Sequence, residues 1–257
     1  MLEHPIHLTD SLNKSDLLII DTRSSKEYAK GHIPNSVNLN LFAHHWIDTT
    51  PQGIESFNRQ LVRLFSFTGL SGKRVIFYDN VSGMLASRGL WLAQYMSHDN
   101  SALLDGGLQH WISLGLPLET KFNHSQPVHF KGKPNDSILT GYKYILDNLD
   151  KLFLIDARDK QEYDGIIRRA SNRGHIPNAI NVDWTENLKL DGTLQDNDFI
   201  NNLYDTSKNT EIVTYCHGAY RAANTFVTLK KAGYKNVKVY LGSWGEWGNI
   251  PHLPVSI

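Results

Sequence analysis

Short apolar segments alternate with helix-like patterns along the whole chain. The apolar segments occupy residues 17–20, 75–78 and 102–104 in the first half and 152–155, 212–215 and 237–240 in the second. Their mostly continuous apolar character is typical of strands covered on both faces, as in a parallel sheet flanked by helices. After residue 215, Ala222, Ala223, Phe226 and Val227 recur at helical spacing, and Gly233 fits the end of that helix. The pattern therefore predicts the α/β class, with parallel sheets flanked by helices.

The two halves of the chain repeat one another. "LLIIDTRSSKEYAKGHIPNSVNL" (17–39) matches "LFLIDARDKQEYDGIIRRASNRGHIPNAINV" (152–182), in which eight extra residues precede Gly-His-Ile-Pro-Asn. "RVIFYDNVSGMLASRGLWL" (74–92) matches "EIVTYCHGAYRAANTFVTL" (211–229), and "LLDGGLQHW" (103–111) matches "VYLGSWGEW" (239–247). The polar stretch 121–137 contains two prolines and has no period, so it fits a linker. The repeat predicts two domains, 1–122 and 138–257.

Composition narrows the classes of function. The 257 residues carry 26 Lys plus Arg and 26 Asp plus Glu, and no long basic run suits a phosphate backbone, so nucleic acid is not an expected partner. No stretch of 18 apolar residues occurs, and the N-terminal residues lack a basic segment followed by an apolar one. We therefore expect a soluble, cytoplasmic protein without a membrane partner.

Cys216 is the only cysteine, which excludes an intrachain disulfide and a Cys-based zinc site. It follows the apolar segment 212–215, and ligands of open α/β sheets bind beyond the carboxyl ends of strands. Amides at the start of the next helix, with Arg221 and His217, would favour an anionic sulfur there. The first half has Asp79 at this position instead of a small apolar residue, so the position should face polar groups in both halves. These features predict a reactive thiol in the second half and a catalytically silent first half.

Taken together, the motifs resemble the two-domain rhodaneses, which are thiosulfate and 3-mercaptopyruvate sulfurtransferases. The resemblance covers nearly all of both halves and is carried by Asp-x-Arg with Glu-Tyr downstream, Gly-His-Ile-Pro at 31–34 and 174–177, the Cys216 loop and "YLGSWGEW". The chain departs from the family at Leu241, at Asn35 and Asn178, and at Leu108 and His110 of the first half. The resemblance implies two tandem rhodanese-like domains, no metal and no organic cofactor.

The resemblance also implies a mechanism. The Cys216 thiolate would attack the outer sulfur of a donor and become a persulfide, which cyanide or a thiol acceptor would then discharge. Loop amides of residues 217–221 would stabilise the charge on the terminal sulfur. The expected substrate-binding residues lie in the loop and in the eight-residue insertion of the second half: His217, Gly218, Ala219, Tyr220, Arg221, Arg168 and Arg169.

Several alternatives stay open at this stage. Arg221 and His217 favour thiosulfate as the donor, and 3-mercaptopyruvate is the alternative. A different class of function is a persulfide carrier that accepts sulfur from a partner protein without turning over small donors. Four residues separate Cys216 from Arg221, whereas cysteine phosphatases place the arginine one position later, where this chain has Ala222. That shorter loop favours sulfur over a phosphoryl group.

Other conspicuous residues have structural interpretations. Asp156 and Arg158 have counterparts in the silent half, which favours an ion pair that anchors the end of a strand. His175 has a counterpart too and is predicted to be structural rather than a metal ligand. Arg173 of the insertion fits a solvated loop or the entrance of the site. Trp244 and Trp247 are expected to pack the interdomain face rather than to wall the cleft.

Overall fold

The computed structural model describes residues 1–257, and they form two compact units. The first consists of Met1–His44, Phe57–Pro134 and Leu188–Leu194, and the second of His45–Ser56, Asn135–Asn187 and Gln195–Ile257. Each unit therefore includes a short segment from the other half of the sequence. The predicted domains 1–122 and 138–257 are contiguous, whereas each of these units consists of three separate segments. The domain boundaries therefore stay a prediction.

The first unit contains a five-stranded parallel sheet of order β1-β5-β4-β2-β3. Its strands are β1 (Leu2–Glu3), β2 (Leu17–Asp21), β3 (Val37–Asn38), β4 (Arg74–Tyr78) and β5 (Ser101–Leu104). Its helices are α1 (Pro5–Thr9), α2 (Ser25–Lys30), α3 (Pro51–Thr68), α4 (Met84–Tyr95) and α5 (Gly107–Ser113), with a 3-10 helix at Leu41–His44. The residues of α3 up to Ser56 group with the second unit.

The second unit repeats this arrangement in a parallel sheet of order β6-β10-β9-β7-β8. Its strands are β6 (Leu139–Thr140), β7 (Phe153–Asp156), β8 (Ile180–Asn181), β9 (Glu211–Tyr215) and β10 (Asn236–Tyr240). Its helices are α6 (Tyr142–Asp147), α7 (Lys160–Tyr163), α8 (Asn197–Tyr204), α9 (Tyr220–Lys231) and α10 (Ser243–Trp247), with a 3-10 helix at Trp184–Asn187. The predicted α/β class with flanked parallel sheets is confirmed.

Burial explains why the strands read as continuous apolar runs. In β4 and β9 every residue after the first is buried, and α9 buries nine of its twelve residues. Trp244 and Trp247 pack in the core of the second unit, whereas the sequence predicted packing at an interdomain face. Because all strands are parallel, their carboxyl ends share one edge of each sheet, where the loops to the helices lie. No helix combines the length and the apolar character needed to cross a bilayer.

An ion pair anchors this edge in both units. Arg158 donates to both carboxylate oxygens of Asp156, with Nη2 to Oδ2 at 2.5 Å, and also to the Gly174 carbonyl at 2.8 Å. Both side chains are almost fully buried, and Asp21 with Arg23 repeats the arrangement in the first unit. His175 stacks on Tyr163 with ring centroids 3.7 Å apart, and its Nδ1 is 2.9 Å from the Tyr163 carbonyl oxygen. The structural interpretations of these residues are confirmed.

Candidate active site

Cys216 lies directly after β9, in the loop that leads into α9. The residue is 1% exposed, and α9 begins four positions later at Tyr220. Ala219 precedes the helix with φ of +64°, a left-handed conformation that turns the chain sharply into the first helical turn. Because the first N–H groups of a helix are not bonded along the helix itself, those at the start of α9 point out of its end at this edge of the sheet.

Ser243 fixes the cysteine loop from the side of α10. The N–H groups of Cys216 and Ala219 donate to Ser243 Oγ at 3.2 and 3.1 Å, and that hydroxyl donates to the Tyr240 carbonyl at 2.9 Å. The Trp244 and Gly245 N–H groups donate to the carbonyls of Cys216 and His217 at 2.9 and 2.8 Å. The amide of Ala219 is therefore engaged by Ser243, which differs from the expectation that all amides of 217–221 face the sulfur.

The first unit shows what the centre of such a loop holds. Asp79 follows β4 as Cys216 follows β9, and its carboxylate accepts N–H bonds at 3.1 to 3.2 Å from Val81, Gly83, Leu85 and Ala86. We call these four N–H groups the amide cradle of the first unit. Burial is the largest influence on Asp79 and raises the pKa of its carboxyl to about 6, although the four amides act in the opposite direction. The polar surroundings predicted for this position are confirmed.

The repeat assigns the corresponding cradle to the second unit. With the 137-residue offset of the matched segments, the counterparts of its four donors are Gly218, Tyr220, Ala222 and Ala223. Three of these residues, Tyr220, Ala222 and Ala223, lie in the first turn of α9. Counted in bonds from Cα, the Asp79 Cγ corresponds to the Cys216 Sγ. The Asp79 carboxylate oxygens correspond to one further atom bonded to that sulfur.

Arg221 is held beside the cysteine by a carboxylate from α7. Its Nη1 and Nη2 donate to the two oxygens of Glu162 at 2.5 and 3.2 Å, and Glu162 is fully buried. Burial acts to lower the pKa of Arg221, but the proximity of Cys216 and the bonds with Glu162 outweigh it, so the pKa is raised. Arg221 is thus a permanent cation close to the sulfur, with its orientation fixed by Glu162.

The insertion supplies a second guanidinium to the same carboxylate. Arg169 Nε lies 3.1 Å from Glu162 Oε1, and the arginine side chain is 52% exposed. Asp159 lies 3.8 Å from Arg221, so two arginines face two carboxylates in this cluster. Arg168 instead donates to backbone carbonyls of its own loop, at Ala170 and Ser171. Of the two insertion arginines expected at the site, Arg169 reaches the cluster around Cys216 and Arg168 braces the insertion.

His217 is neutral at pH 7. Burial is the main cause, and the nearby Arg221 and His45 add to it, so that the pKa of the imidazole falls to about 4. Its Nδ1 is buried and has no hydrogen-bond partner in the protein. This differs from the sequence-based expectation that His217 adds positive charge. The remaining loop residues expected at the site, Gly218 and Tyr220, are both buried.

Three parts of the site are not predicted by the sequence patterns. The first is the pairing of Glu162 with Arg221, although the repeat aligns Glu162 with Glu27. Ser243 replaces Gly107 and keeps a left-handed φ of +51°, so the substitution in the repeat was an available signal. Residues 45–49 pack on the loop from far away in the sequence, and no local pattern marks them. No group of three or more His, Cys, Asp or Glu side chains is placed to hold a metal ion.

Comparison with known proteins agrees with this geometry. The model of the rhodanese-like domain matches residues 5–114 and again residues 142–250. The chain belongs to the rhodanese-like domain family. Both matches of this rhodanese-like chain contain a loop of the type described above, one with Asp79 and one with Cys216.

Relatives match over almost the full length of this rhodanese-like chain. A thiosulfate sulfurtransferase from Azotobacter vinelandii is 31% identical, over 98% of this chain and 96% of the relative. The sulfur carrier protein TtuD from Thermus thermophilus is 29% identical, over 94% of this chain and 88% of the relative. Among solved structures, the 3-mercaptopyruvate sulfotransferase SseA from Escherichia coli is 25% identical and superposes with a TM-score of 0.78, over 95% of this chain and 98% of that one.

Proposed function

We propose that this rhodanese-like protein is a sulfurtransferase that moves sulfane sulfur from thiosulfate to cyanide or a thiol through a persulfide on Cys216. The observation that carries the proposal is the amide cradle. In the first unit a loop of this type holds an anion, the Asp79 carboxylate, with four backbone N–H groups. In the second unit the equivalent place belongs to a thiol, and a persulfide would extend it by one charged sulfur atom.

The first half-reaction follows from this placement. The Cys216 thiolate attacks the outer sulfur of thiosulfate, the new Cys–S–S bond forms, and the old S–S bond breaks with its electron pair leaving on sulfite. The persulfide anion then lies among the N–H groups of Gly218 and of the first turn of α9. Fixed dipoles of this kind stabilise the charge without having to reorganise during the reaction.

The second half-reaction regenerates the thiolate. Cyanide attacks the outer sulfur of the persulfide and leaves as thiocyanate, while the electron pair of the broken S–S bond returns to Cys216. A thiol acceptor would react in the same way and carry the sulfur as its own persulfide. Two half-reactions that share one covalent intermediate give ping-pong kinetics.

Arg221 and Arg169 support an anionic donor. Arg221 lies beside Cys216, and the half-exposed Arg169 can turn from Glu162 toward solvent, where it would meet an incoming anion. The carboxylates of Glu162 and Asp159 balance both arginines, so the charge count alone does not distinguish thiosulfate from 3-mercaptopyruvate. Thiosulfate is preferred because the Azotobacter relative, which matches over nearly its whole length, carries that activity in its name.

The decisive experiment is intact mass spectrometry after incubation with thiosulfate, followed by peptide mapping. We expect a gain of one sulfur atom on the peptide with Cys216, and its loss when cyanide is added. Steady-state kinetics with thiosulfate and with 3-mercaptopyruvate then identify the donor. An unmodified cysteine after treatment with thiosulfate would contradict the proposal.

A second candidate is a persulfide carrier, which the similarity to the sulfur carrier protein of Thermus thermophilus favours. A carrier would be loaded by another protein and would show negligible turnover with small donors. Either function suits a cytoplasmic location, because a reducing compartment keeps a single catalytic thiol available.

A further inference from the structure

The second unit includes a short segment from the first half of the sequence, His-Trp-Ile-Asp-Thr at positions 45–49. We call it the 45–49 segment. Thr49 fixes its end, because the Thr49 N–H and Oγ1 donate to the two oxygens of Glu246, both at 2.6 Å. The Tyr240 hydroxyl donates to the same carboxylate at 2.8 Å, and Glu246 is 8% exposed. The two bonds from Thr49 to this buried carboxylate hold the segment in place, and the bond from Tyr240 fixes the carboxylate itself.

From this anchor the segment reaches the cysteine loop at two points. Ile47 packs against Gly245, so that a Cβ on that glycine would lie 3.2 Å from Ile47 Cγ2. His45 packs against Gly218 so closely that a Cβ there would overlap the imidazole ring. The same ring stacks on Tyr220, with centroids 5.8 Å apart and planes 13° from parallel. His45 therefore covers the loop at the residue that follows His217.

Gly218 is the loop residue whose N–H corresponds to the first donor of the amide cradle. The N–H of its counterpart, Val81, donates to the Asp79 carboxylate in the first unit. Glycine lacks a side chain that would restrict rotation of the peptide unit between residues 217 and 218. A rotation of that unit would point a carbonyl oxygen, instead of the N–H, toward the sulfur. The bond from the Gly245 N–H to the His217 carbonyl at 2.8 Å opposes this rotation at one end of the unit. At the other end, Gly218 is restrained by the packing of His45.

The loop after Asp79 in the first unit is also covered by a residue from elsewhere in the sequence, but there the glycine is on the covering residue and not in the loop. There the loop residue Val81 has the side chain, and the covering residue Gly192 is the glycine, on which a Cβ would overlap Val81 Cγ1. The Ser82 N–H also donates directly to the Gly192 carbonyl at 2.8 Å. In the second unit the loop has the glycine and His45 brings the side chain. The space over the loop is filled in both units.

We propose that His45 is a positioning residue for sulfur transfer, which holds the 217–218 peptide with its N–H directed at the sulfur of Cys216. Its ring acts by packing on Gly218 and Tyr220, and Glu246 holds the ring in place through Thr49. The inference rests on the proposed function, because its effect is defined by the persulfide.

The first test compares His45→Ala with His45→Phe in the full chain. We expect His45→Ala to lower kcat for the thiosulfate-to-cyanide reaction about tenfold, less than the loss of a whole oxyanion donor, because the amide is displaced part of the time. KM for thiosulfate should change less than about twofold. The lifetime of the Cys216 persulfide without acceptor, followed by mass spectrometry, should fall in parallel. His45→Phe should restore both quantities, because the ring is kept.

The anchor gives a matched pair of variants. Thr49→Val removes a hydroxyl bonded to Glu246 and should lower kcat in the same direction, by a smaller factor. Thr50→Val removes the neighbouring hydroxyl, which is bonded to Asp48 instead, and should leave kcat unchanged. Thermal unfolding of both variants separates loss of stability from loss of positioning.

Gly218→Ala tests the contact itself. The φ of Gly218 is not positive, so the backbone accepts alanine and the added methyl group meets mainly the ring of His45. We expect Gly218→Ala to resemble His45→Ala, and the double variant to be no slower than either. Additive losses in the double variant would overturn the inference.

The outcomes also separate this inference from the proposed function. If wild-type protein forms the persulfide and His45→Ala keeps its kcat and persulfide lifetime, His45 is not a positioning residue and the function stands. If His45→Phe is as slow as His45→Ala, the packing role is wrong. If wild-type protein forms no persulfide with thiosulfate, the proposed function itself fails.

Discussion

The Asp79 loop and the Cys216 loop have equivalent backbone hydrogen bonds but differ in the side chain that follows the strand. In the first unit the Leu108 and Gln109 N–H groups donate to the carbonyls of Asp79 and Asn80 at 2.8 and 2.9 Å. In the second, Trp244 and Gly245 make the same bonds to Cys216 and His217 at 2.9 and 2.8 Å. The backbone frame therefore survives when the central side chain changes from a carboxylate to a thiol.

The comparison separates two requirements for sulfur transfer. Holding an anion is a property of the backbone, because Asp79 is held by four amides without any nearby arginine in its loop. We propose that forming and discharging a persulfide also requires three features of the second unit. They are the thiol, the arginine at position 221 where the first unit has Met84, and the insertion that brings Arg169 to Glu162. Exchanging residues between the loops tests each requirement in turn.

Cys216→Asp should have the largest effect, because it gives the second loop the central residue of the first. We expect a folded protein whose transfer from thiosulfate falls by at least about 10³-fold, since a carboxylate cannot carry the sulfur. Cys216→Ser should be equally inactive but should leave the amides without an acceptor, so its thermal unfolding temperature should be lower than that of Cys216→Asp. Retained turnover in either variant, measured as thiocyanate formation, would break the comparison.

Arg221→Met makes the second exchange. We expect kcat/KM for thiosulfate to fall about 10- to 100-fold, because a fixed positive charge beside the sulfur is lost. Stability should fall as well, since the buried Glu162 keeps only the half-exposed Arg169 as its partner. Adding Glu162→Gln should recover stability without recovering the rate. Full recovery of the rate would show that Arg221 serves only to neutralise Glu162.

Asp79→Ala tests the silence of the first unit. Four amides lose their acceptor, so we expect the free energy of unfolding to fall by about 1 to 3 kcal/mol, with kcat within about twofold of the wild type. The pKa of about 6 lies above the ordinary value of 3.8, so the stability contributed by Asp79 is present at low pH and is lost as the pH rises through 6. The deficit of the variant should therefore be larger at pH 5 than at pH 8 in denaturant titrations. A loss of turnover comparable to that of Cys216→Ser would refute catalytic silence.

His217→Asn should have the smallest effect, as it introduces the residue of the first loop at position 80. The folded pKa of His217, about 4, lies below the ordinary 6.5, so its contribution is present above pH 6.5 and is lost as the pH falls toward 4. We expect the wild type to lose about 1 kcal/mol more than the variant over this range, after allowance for solvent screening. Parallel stability curves from pH 7 to 4 would show that the imidazole is charged in the folded protein.

Sequence patterns predicted much of this structure because they report local burial. The apolar run at 212–215 lies within β9, and the cysteine that ends the run lies where the parallel strands expose their carboxyl ends. The presence of Asp79 at the position of Cys216 in the repeat predicted polar surroundings, and four backbone N–H groups confirm them in the first unit. Around Cys216 they stay a prediction. These predictions depend only on the residue types within one segment and on the apolar or polar pattern of the segments next to it.

The rest of the site depends on contacts that no local pattern contains. The pairing of Arg221 with Glu162 joins two helices. His217 stays neutral mainly because its own imidazole is buried, which lowers its pKa. Ser243 adopts a left-handed conformation that its residue type does not suggest. His45 contacts Gly218 in the structure. In the sequence, neither residue stands in a pattern that would indicate this contact.

The mixed composition of the two units bears on why a copy without a thiol has been kept. Residues 45–56 are encoded with the first half and fold with the second, while residues 188–194 are encoded with the second and fold with the first. A gene that lost the copy without a cysteine would also lose the threonine that anchors to Glu246. Because each unit contains a segment encoded in the other half, each half of the sequence is needed to complete both units.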